Sequence, residues 1–487
     1  MNQVIDYHAI LPELILASTV LLVLVVDVFL PAKRKSWSMV VGLIGTAAAL
    51  VGTLTLLGDA RTTFGGSYVI DNFAILFKLF FLSVAILVLG ISFRYFREGG
   101  FYQGEYYFLL LTSFLGCIMM PSSRDLLLLF IALELVSAPG FLMAAFRKTD
   151  PKSNEAGLKF FLIGVLSTAV MLYGMSLIYG LTGSTRLDAI AQGLSALPAA
   201  KETLAFSAIL FVVIGFAFKV SAVPFQFWAP DTYEGAPVPV AAFLAVASSA
   251  AGFAGLLQLM FVAFINQHAF WTPIFAALSI ATMTLGNLVA LKQTQVVRLL
   301  AYSGIAQAGY ILLPFALVSG DATVNHSAFS ASVTYILIYA IMNLGAFAVT
   351  IAVSRREPAL LISDFAGLAR RAPLLAVGMT AFMISLAGVP PTGGFWAKIL
   401  IFKAAIERGG VGPWLAVVML ANSVISVVYY FAVPKQMIFE PARDESRMRS
   451  PALVNAVVVL TLVAIVAVFV FPNPIARAAE ISTLIGS

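Results

Sequence analysis

Residues 388–398 read GVPPTGGFWAK and lie inside a segment that is otherwise apolar enough to cross a membrane. The stretch combines a pair of prolines, a pair of glycines and a lysine. Proline removes a backbone donor and clashes with the preceding helical turn, while glycine lets the chain bend away. A chain that crosses lipid should avoid both helix breakers and buried ammonium groups. The stretch therefore predicts a broken membrane helix with a lysine beside the break.

The composition indicates a polytopic membrane protein. Of the 487 residues, 61% are hydrophobic and only 11% are charged, whereas roughly a quarter of the residues in a soluble domain are charged. The single cysteine, Cys117, excludes a disulfide framework or a thiolate cluster. His8, His268 and His326 fall at the N-terminus or in predicted loops. We therefore expect no cofactor in this chain, and we attribute its net charge of +6 to membrane topology and not to nucleic-acid binding.

Runs of about 20 apolar residues mark membrane spans. The sequence predicts about fourteen of them, beginning near residues 11, 37, 71, 106, 125, 155, 203, 236, 270, 294, 326, 373, 411 and 451. Most lysines and arginines outside these spans fall in loops on one side, including Lys33, Arg147, Arg355 and Arg443. Because basic loops stay inside, we expect both termini on the outer side of a bacterial plasma membrane.

Four lysines remain within the predicted spans: Lys78, Lys159, Lys219 and Lys398. Each costs roughly 2.5–3.5 kcal/mol at a helix centre. Lys159 lies near the start of its helix and can reach the interface by snorkelling, and the same explanation is open for Lys78. The second explanation, for both lysines, is a place in a relay that carries protons. Lys219 and Lys398 lie deeper and need a partner or a function.

Glu134 is the one acidic residue near the middle of a predicted span, which makes it a natural partner for a deep lysine. An ion pair at 4 Å and an effective dielectric constant near 20 is worth about 4 kcal/mol. Movement of the carboxylate toward or away from the lysine would therefore load or unload the amine with a proton. A proton pump requires such a switch.

A second stretch, FKVSAVPFQFWAP at residues 218–230, has the same ingredients as the first. Both contain Val-Pro and then Phe-Trp-Ala or Phe-x-Phe-Trp-Ala, and each carries one of the two deepest lysines. Matched breaks of this kind point to inverted repeats around a midplane ion path. The residues predicted to break the helices are Pro224, Pro390, Pro391, Gly393 and Gly394.

The two breaks lie five predicted spans apart, and an odd offset inverts the second copy in the bilayer. We therefore expect an all-α polytopic membrane protein with two inverted five-helix repeats, each with a broken helix. The predicted domains are an N-terminal three-helix segment (1–105), a first repeat of spans four to eight (106–265), an inverted second repeat of spans nine to thirteen (266–440) and a C-terminal helix (441–487).

From about residue 70 to 440, the chain resembles the antiporter-like membrane subunits of respiratory complex I, the proton-pumping NADH:quinone oxidoreductase. The resemblance rests on LELVSAPGFLMAAF, FAFKVSAVPFQFWAPDTYEGAPVPVAAFLA, QTQVVRLLAYSGIAQAGY and GVPPTGGFWAK. It implies that Glu134 is the acid partner, that Lys219 is the lysine of the first half-channel, and that Lys398 exchanges protons with the outside.

The resemblance also implies the partners of the chain. NADH, FMN, iron–sulfur clusters and quinone would act in neighbouring subunits, and this chain would move protons in response. It would contact other complex I membrane subunits, the lipid bilayer and internal water.

Three positions depart from the family pattern. Ser249 stands where a lysine is usual, and Gln307 and Gln226 stand where histidines are usual. These side chains can hydrogen-bond but cannot hold a proton at neutral pH. Either water bridges Lys219 to Lys398 directly or the channel conducts poorly, and the sequence leaves both explanations open.

Other functions share this pattern of buried charges. The chain could belong to a cation/proton antiporter, to a membrane-bound hydrogenase, or to a structural subunit whose polar residues are relics. Trp228 and Trp396 beside the breaks are interpreted either as gates or as packing and interfacial anchors.

Overall fold

The computed structural model describes residues 5–31, 34–99, 103–442, 444 and 446–482, and most of them are helical. A chain in lipid must satisfy its backbone polar groups internally, and long apolar helices do so. The helices of the N-terminal half are α1 (Leu11–Phe29), α2 (Trp37–Leu54), α3 (Asn72–Glu98), α4 (Gln103–Met119), α5 (Leu126–Ala144), α6 (Pro151–Thr182), α7 (Leu187–Ser195), α8 (Ala199–Lys219), α9 (Trp228–Gly235), α10 (Val238–Phe243) and α11 (Ser249–Gln258).

The C-terminal half continues in the same way after a short connection. A π-helical turn at Leu244–Ser248 joins α10 to α11, and a second one at Leu259–Ala263 extends α11, so that Val238–Ala263 forms one continuous span. The remaining helices are α12 (His268–Ala290), α13 (Val296–Leu312), α14 (Ala322–Ser354), α15 (Leu368–Arg371), α16 (Pro373–Ala387), α17 (Gly393–Arg408), α18 (Gly412–Phe439), α19 (Ala452–Val470) and α20 (Asn473–Glu480).

Within the described ranges, 13 helices are long and apolar enough to cross a membrane. The remaining predicted span, the twelfth, is interrupted and consists of the shorter α16 followed by α17. The prediction of an all-α polytopic membrane protein is therefore confirmed. The chain termini, Lys33 and Arg443 lie outside the described residues.

Two local features differ from the prediction. The loop between α2 and α3 contains a small antiparallel hairpin of β1 (Arg61–Thr63) and β2 (Tyr68–Ile70). Strands of three residues are too short to show a periodic pattern in the sequence. His268 and His326 were expected in loops but lie in helices, at the start of α12 and near the start of α14. Both helices begin earlier than their apolar runs.

Both predicted breaks interrupt their helices. The first broken helix, α8, ends at Lys219, and α9 begins only at Trp228. The second broken helix, α16, ends at Ala387. The chain then turns at Gly388, which has φ +81°, and becomes helical again in α17. Pro224, Pro390 and Pro391 lie in these interruptions, where their missing backbone donors remove no helical hydrogen bond.

Gly393 and Gly394 have a different place from the one predicted. They form the first turn of α17 and lie outside the non-helical segment. The Gly394 N–H donates to Ser385 Oγ at 3.1 Å, and a Cβ at this position would overlap the Ser385 carbonyl oxygen. These glycines therefore let the start of α17 pack directly against the end of α16.

The helices that carry the breaks surround the most enclosed part of the molecule. The spans Val238–Ala263 and Ala322–Ser354 are each 94% buried over their most apolar window, whereas α1 and α19 are 33% buried. α9 packs against both α6 and α13. The second half of the first broken helix therefore contacts both predicted repeats.

Candidate functional site

Lys219 is the last residue of α8, and its side chain is buried. Its Nζ donates to Ser137 Oγ on α5 at 2.8 Å. The C-terminal end of a helix carries partial negative charge, which favours a cation there. The break therefore places a buried ammonium group where the end of its own helix stabilises it.

Glu134 lies one turn before Ser137 on α5, so the two side chains share one face of that helix. Its Oε1 accepts a hydrogen bond from Thr168 Oγ1 on α6 at 2.9 Å. Within the described residues, Glu134 and Lys219 do not form an ion pair. The structure thus brings both sequence-predicted residues to one site, with Ser137 between them.

Lys398 lies in the second turn of α17 and is also buried. Its Nζ donates to the Ala387 carbonyl at 2.8 Å and to Ser423 Oγ at 2.7 Å. The same nitrogen lies 4.8 Å from the centre of the Tyr310 ring, within cation–π range. Because Ala387 ends α16, this ammonium group also binds the C-terminal end of a half-helix, whose last carbonyls lack helical partners.

Gln307 connects to the same region. Its Nε2 donates to the Leu386 carbonyl at 3.0 Å and to Tyr430 Oη at 2.9 Å, and its Oε1 accepts from Tyr335 Oη at 2.5 Å. Leu386 adjoins Ala387, the acceptor of Lys398. Gln307 is therefore part of a buried hydrogen-bonded network next to Lys398.

Asn287 extends this network, and sequence reasoning missed it. Its Nδ2 donates to Tyr310 Oη and to the Asn422 carbonyl, both at 3.1 Å, and its Oδ1 accepts from Tyr429 Oη at 2.9 Å. A signal was present, since an asparagine is an unusual residue in an apolar span. Its partners come from distant helices and could not be assigned from the sequence.

Ser249 is the first residue of α11. Its Oγ donates to the Leu244 carbonyl at 3.1 Å across a π-helical turn. Ser249, Ser221, Tyr233 and Tyr339 contribute polar atoms to a cavity of about 20 Å³, which is room for one water molecule. Where the family pattern has a lysine, this chain therefore has a hydroxyl beside a small cavity.

Gln226 and the two tryptophans also lie at the breaks. Gln226 is partly buried, and within the described part of the chain its Oε1 has no hydrogen-bond partner. Trp228 stacks on Phe160 with ring centres 4.3 Å apart, and Trp396 Nε1 donates to the Phe469 carbonyl at 3.1 Å. Trp396 thus joins α17 to α19.

Lys78 does not reach an interface, contrary to one of its two explanations. It is wholly buried, forms an ion pair with Glu13 in the first turn of α1, and donates to Tyr68 Oη at 2.8 Å. Glu13 was missed because an acid in a first helical turn is common and its partner lies on another helix.

Lys159 is partly exposed, with a 44% accessible side chain, as snorkelling predicts. Its Nζ lies 2.7 Å from Glu155 Oε1 and 2.7 Å from Asp231 Oδ2. Arg298 on α13 contacts Asp231 and Glu234 at 2.8 Å each. We call these five residues the Asp231 cluster. Its acids are visible in the sequence, but only the fold brings them together.

Comparison with known proteins identifies relatives of this architecture. Residues 123–426 match a family described as NADH:quinone oxidoreductase/Mrp antiporter, TM. The chain is 43% identical over 444 residues to the NADH-quinone oxidoreductase subunit N of Trichlorobacter lovleyi, covering 91% of this chain and 90% of that protein.

Solved structures have the same fold. A chain of respiratory complex I from Thermus thermophilus, solved with bound aureothin, is 31% identical with a TM-score of 0.78, covering 96% of this chain and 98% of that chain. A chain of the Mrp complex from a Dietzia species is 19% identical with a TM-score of 0.85, covering 98% and 97%. The second likeness concerns the fold alone.

Proposed function

Because this chain belongs to the family of NADH:quinone oxidoreductase and Mrp antiporter transmembrane subunits, we propose that it is the subunit N-type, proton-translocating membrane subunit of an NADH:quinone oxidoreductase. Redox chemistry with NADH, FMN, iron–sulfur clusters and quinone takes place in partner subunits. This chain moves protons across the bacterial plasma membrane in response.

One observation carries the proposal: two buried ammonium groups each lie at the end of an interrupted helix. Lys219 ends α8 and Lys398 binds the end of α16. Neither has a carboxylate within ion-pair distance among the described residues. An amine held by hydroxyls, carbonyls and an aromatic ring can release its proton without leaving a buried carboxylate unpaired.

Glu134 is the acid that sets the charge of Lys219. Its carboxylate is held by Thr168 and lies one turn from Ser137, the hydroxyl that Lys219 contacts. A shift of the carboxylate toward Lys219 stabilises the ammonium form, and a shift away favours release of the proton. Protons then pass to Lys398 through water beside Ser249 and the network around Gln307. The two predicted inverted repeats, residues 106–265 and 266–440, provide one lysine site each.

The test is proton stoichiometry in the complete oxidoreductase, reconstituted in liposomes. Lys219→Ala and Glu134→Gln should each lower the number of protons translocated per electron, while the complex still assembles and oxidises NADH. Lys403→Ala is a matched control, because Lys403 is a lysine whose side chain is 64% accessible on the broken helix α17. Unchanged stoichiometry in both site variants would refute the proposal, and proton flux that requires sodium would indicate cation/proton antiport.

A further inference from the structure

Four aromatic rings lie together on one side of Lys219. Phe160 stacks on Trp228 with ring centres 4.3 Å apart. The ring centre of Phe141 lies 4.6 Å from that of Phe160, and the ring centre of Phe218 lies 5.2 Å from that of Trp228. All four are at most 8% exposed. We call them the aromatic layer; they come from α5, α6, α8 and α9.

The aromatic layer adjoins the Lys219 site along the chain. Phe218 immediately precedes Lys219, and Phe141 lies one helical turn beyond Ser137. Trp228 Nε1 donates to the Phe218 carbonyl at 3.3 Å, which holds the indole across the end of α8. Two of the four rings therefore belong to residues within one helical turn of Lys219 or of its hydroxyl partner.

The aromatic layer also adjoins the Asp231 cluster along the chain. Lys159 immediately precedes Phe160, and Asp231 lies about one turn after Trp228. Here Lys152, Glu155, Lys159, Asp231 and Glu234 line a cavity of about 130 Å³. At about 30 Å³ per molecule, this volume holds about four waters.

We infer that Lys219 receives its protons from the cavity of the Asp231 cluster, and that the aromatic layer is the closed gate between them. Protons move along chains of water and polar groups, and the cluster supplies both. A dry ring layer interrupts such a chain, as apolar constrictions do in channels that gate by dewetting. A shift of the Phe160 ring from Trp228 would join the two sides. The inference deepens the proposed function and rests on it.

Passive proton flux tests the gate without any redox turnover. The complete complex is reconstituted in liposomes with a pH-sensitive dye inside, a potassium diffusion potential is imposed, and no NADH is added. Phe160→Ala should raise the proton flux several-fold over the unmodified complex. The increase should disappear in the double variant Phe160→Ala/Lys219→Met, because the leak passes through the amine.

Phe275→Ala is the matched control, since Phe275 of α12 is 1% exposed, stacks on Phe315 with ring centres 5.0 Å apart, and is not part of the aromatic layer. Flux in Phe160→Ala no greater than in Phe275→Ala would overturn the inference, as would a leak that persists without Lys219. If Phe160→Ala does not assemble, Phe160→Leu replaces it, with a smaller increase expected. If Phe160→Ala raises the proton flux in a Lys219-dependent way but Lys219→Ala leaves the pumping stoichiometry unchanged, the proposed function is refuted and the aromatic gate is supported.

Discussion

At the scale of single residues, three buried lysines are stabilised in three ways. Lys219 contacts a hydroxyl, Lys398 a helix-end carbonyl, a hydroxyl and an aromatic ring, and Lys78 a carboxylate. A carboxylate fixes the charge of its partner most strongly. We therefore expect the Lys78–Glu13 ion pair to tie α1 to α3, whereas the proposed function requires Lys219 and Lys398 to exchange protons.

Breaking the Lys78–Glu13 pair should destabilise the protein strongly. Lys78→Met leaves an unpaired carboxylate, and Glu13→Gln leaves an unpaired ammonium group. Each change should lower the free energy of unfolding by about 3–5 kcal/mol, measured by denaturation of the purified protein in detergent. The double variant should lose less than the sum of the two, since no buried charge remains.

The exposed pair Lys148–Glu105, with side chains 63% and 54% accessible, provides the comparison. Glu105→Gln should cost less than about 1 kcal/mol. Equal losses at the buried and the exposed pair would show that burial does not strengthen the interaction between Lys78 and Glu13.

At the scale of elements, each helix break leaves a helix end inside the protein, and the last carbonyls of that helix have no backbone partner within the helix. At the second break, Gly388 turns the chain with φ +81° and lies against the side chain of Lys398. A Cβ at this position would lie 2.6 Å from Lys398 Cδ and 3.1 Å from Nζ. The glycine therefore provides both the turn and the space in which the lysine reaches Ala387.

Gly388→Ala should displace Lys398 and lower proton translocation per electron in the reconstituted complex. The left-handed backbone alone costs about 1–3 kcal/mol for a residue with a side chain. Gly58→Ala carries the same strain, because Gly58 has φ +84°, but nothing lies within 4 Å of its Cβ position. Pumping that falls equally in both variants would assign the loss to backbone strain and not to Lys398.

At the scale of the whole molecule, the orientation in the membrane follows from the distribution of basic loops. It predicts that the α2–α3 loop lies outside and that the α18–α19 loop lies inside. The single cysteine, Cys117, is buried, so an added surface cysteine can be labelled selectively.

Gly58→Cys should react with a membrane-impermeant maleimide in intact, right-side-out vesicles, because Gly58 is exposed in the α2–α3 loop. Ser446→Cys, which is exposed in the α18–α19 loop, should react only after permeabilisation. The reverse pattern would invert the topology. Labelling of both sites in intact vesicles would place both loops outside and mean that an even number of crossings separates them.

The sequence by itself determined the class of the protein, the approximate positions of its spans, both helix breaks and the depth of Lys219 and Lys398. These features are local, since hydropathy over about 20 residues and the chemistry of proline act within one segment. Gly393 and Gly394 were placed incorrectly, because the sequence does not distinguish a glycine that bends the chain from one that lets two helices pack closely.

Only the tertiary structure decided which groups meet. Ser137 contacts Lys219, Ser423 contacts Lys398, Glu13 contacts Lys78, and Arg298 joins the Asp231 cluster. Each contact joins two different helices, and all but the Ser423–Lys398 contact join helices that are not consecutive in the chain. The physical reason is that a side chain in a uniformly apolar helix has no water-facing side to orient it, so packing against the other helices determines which way it points.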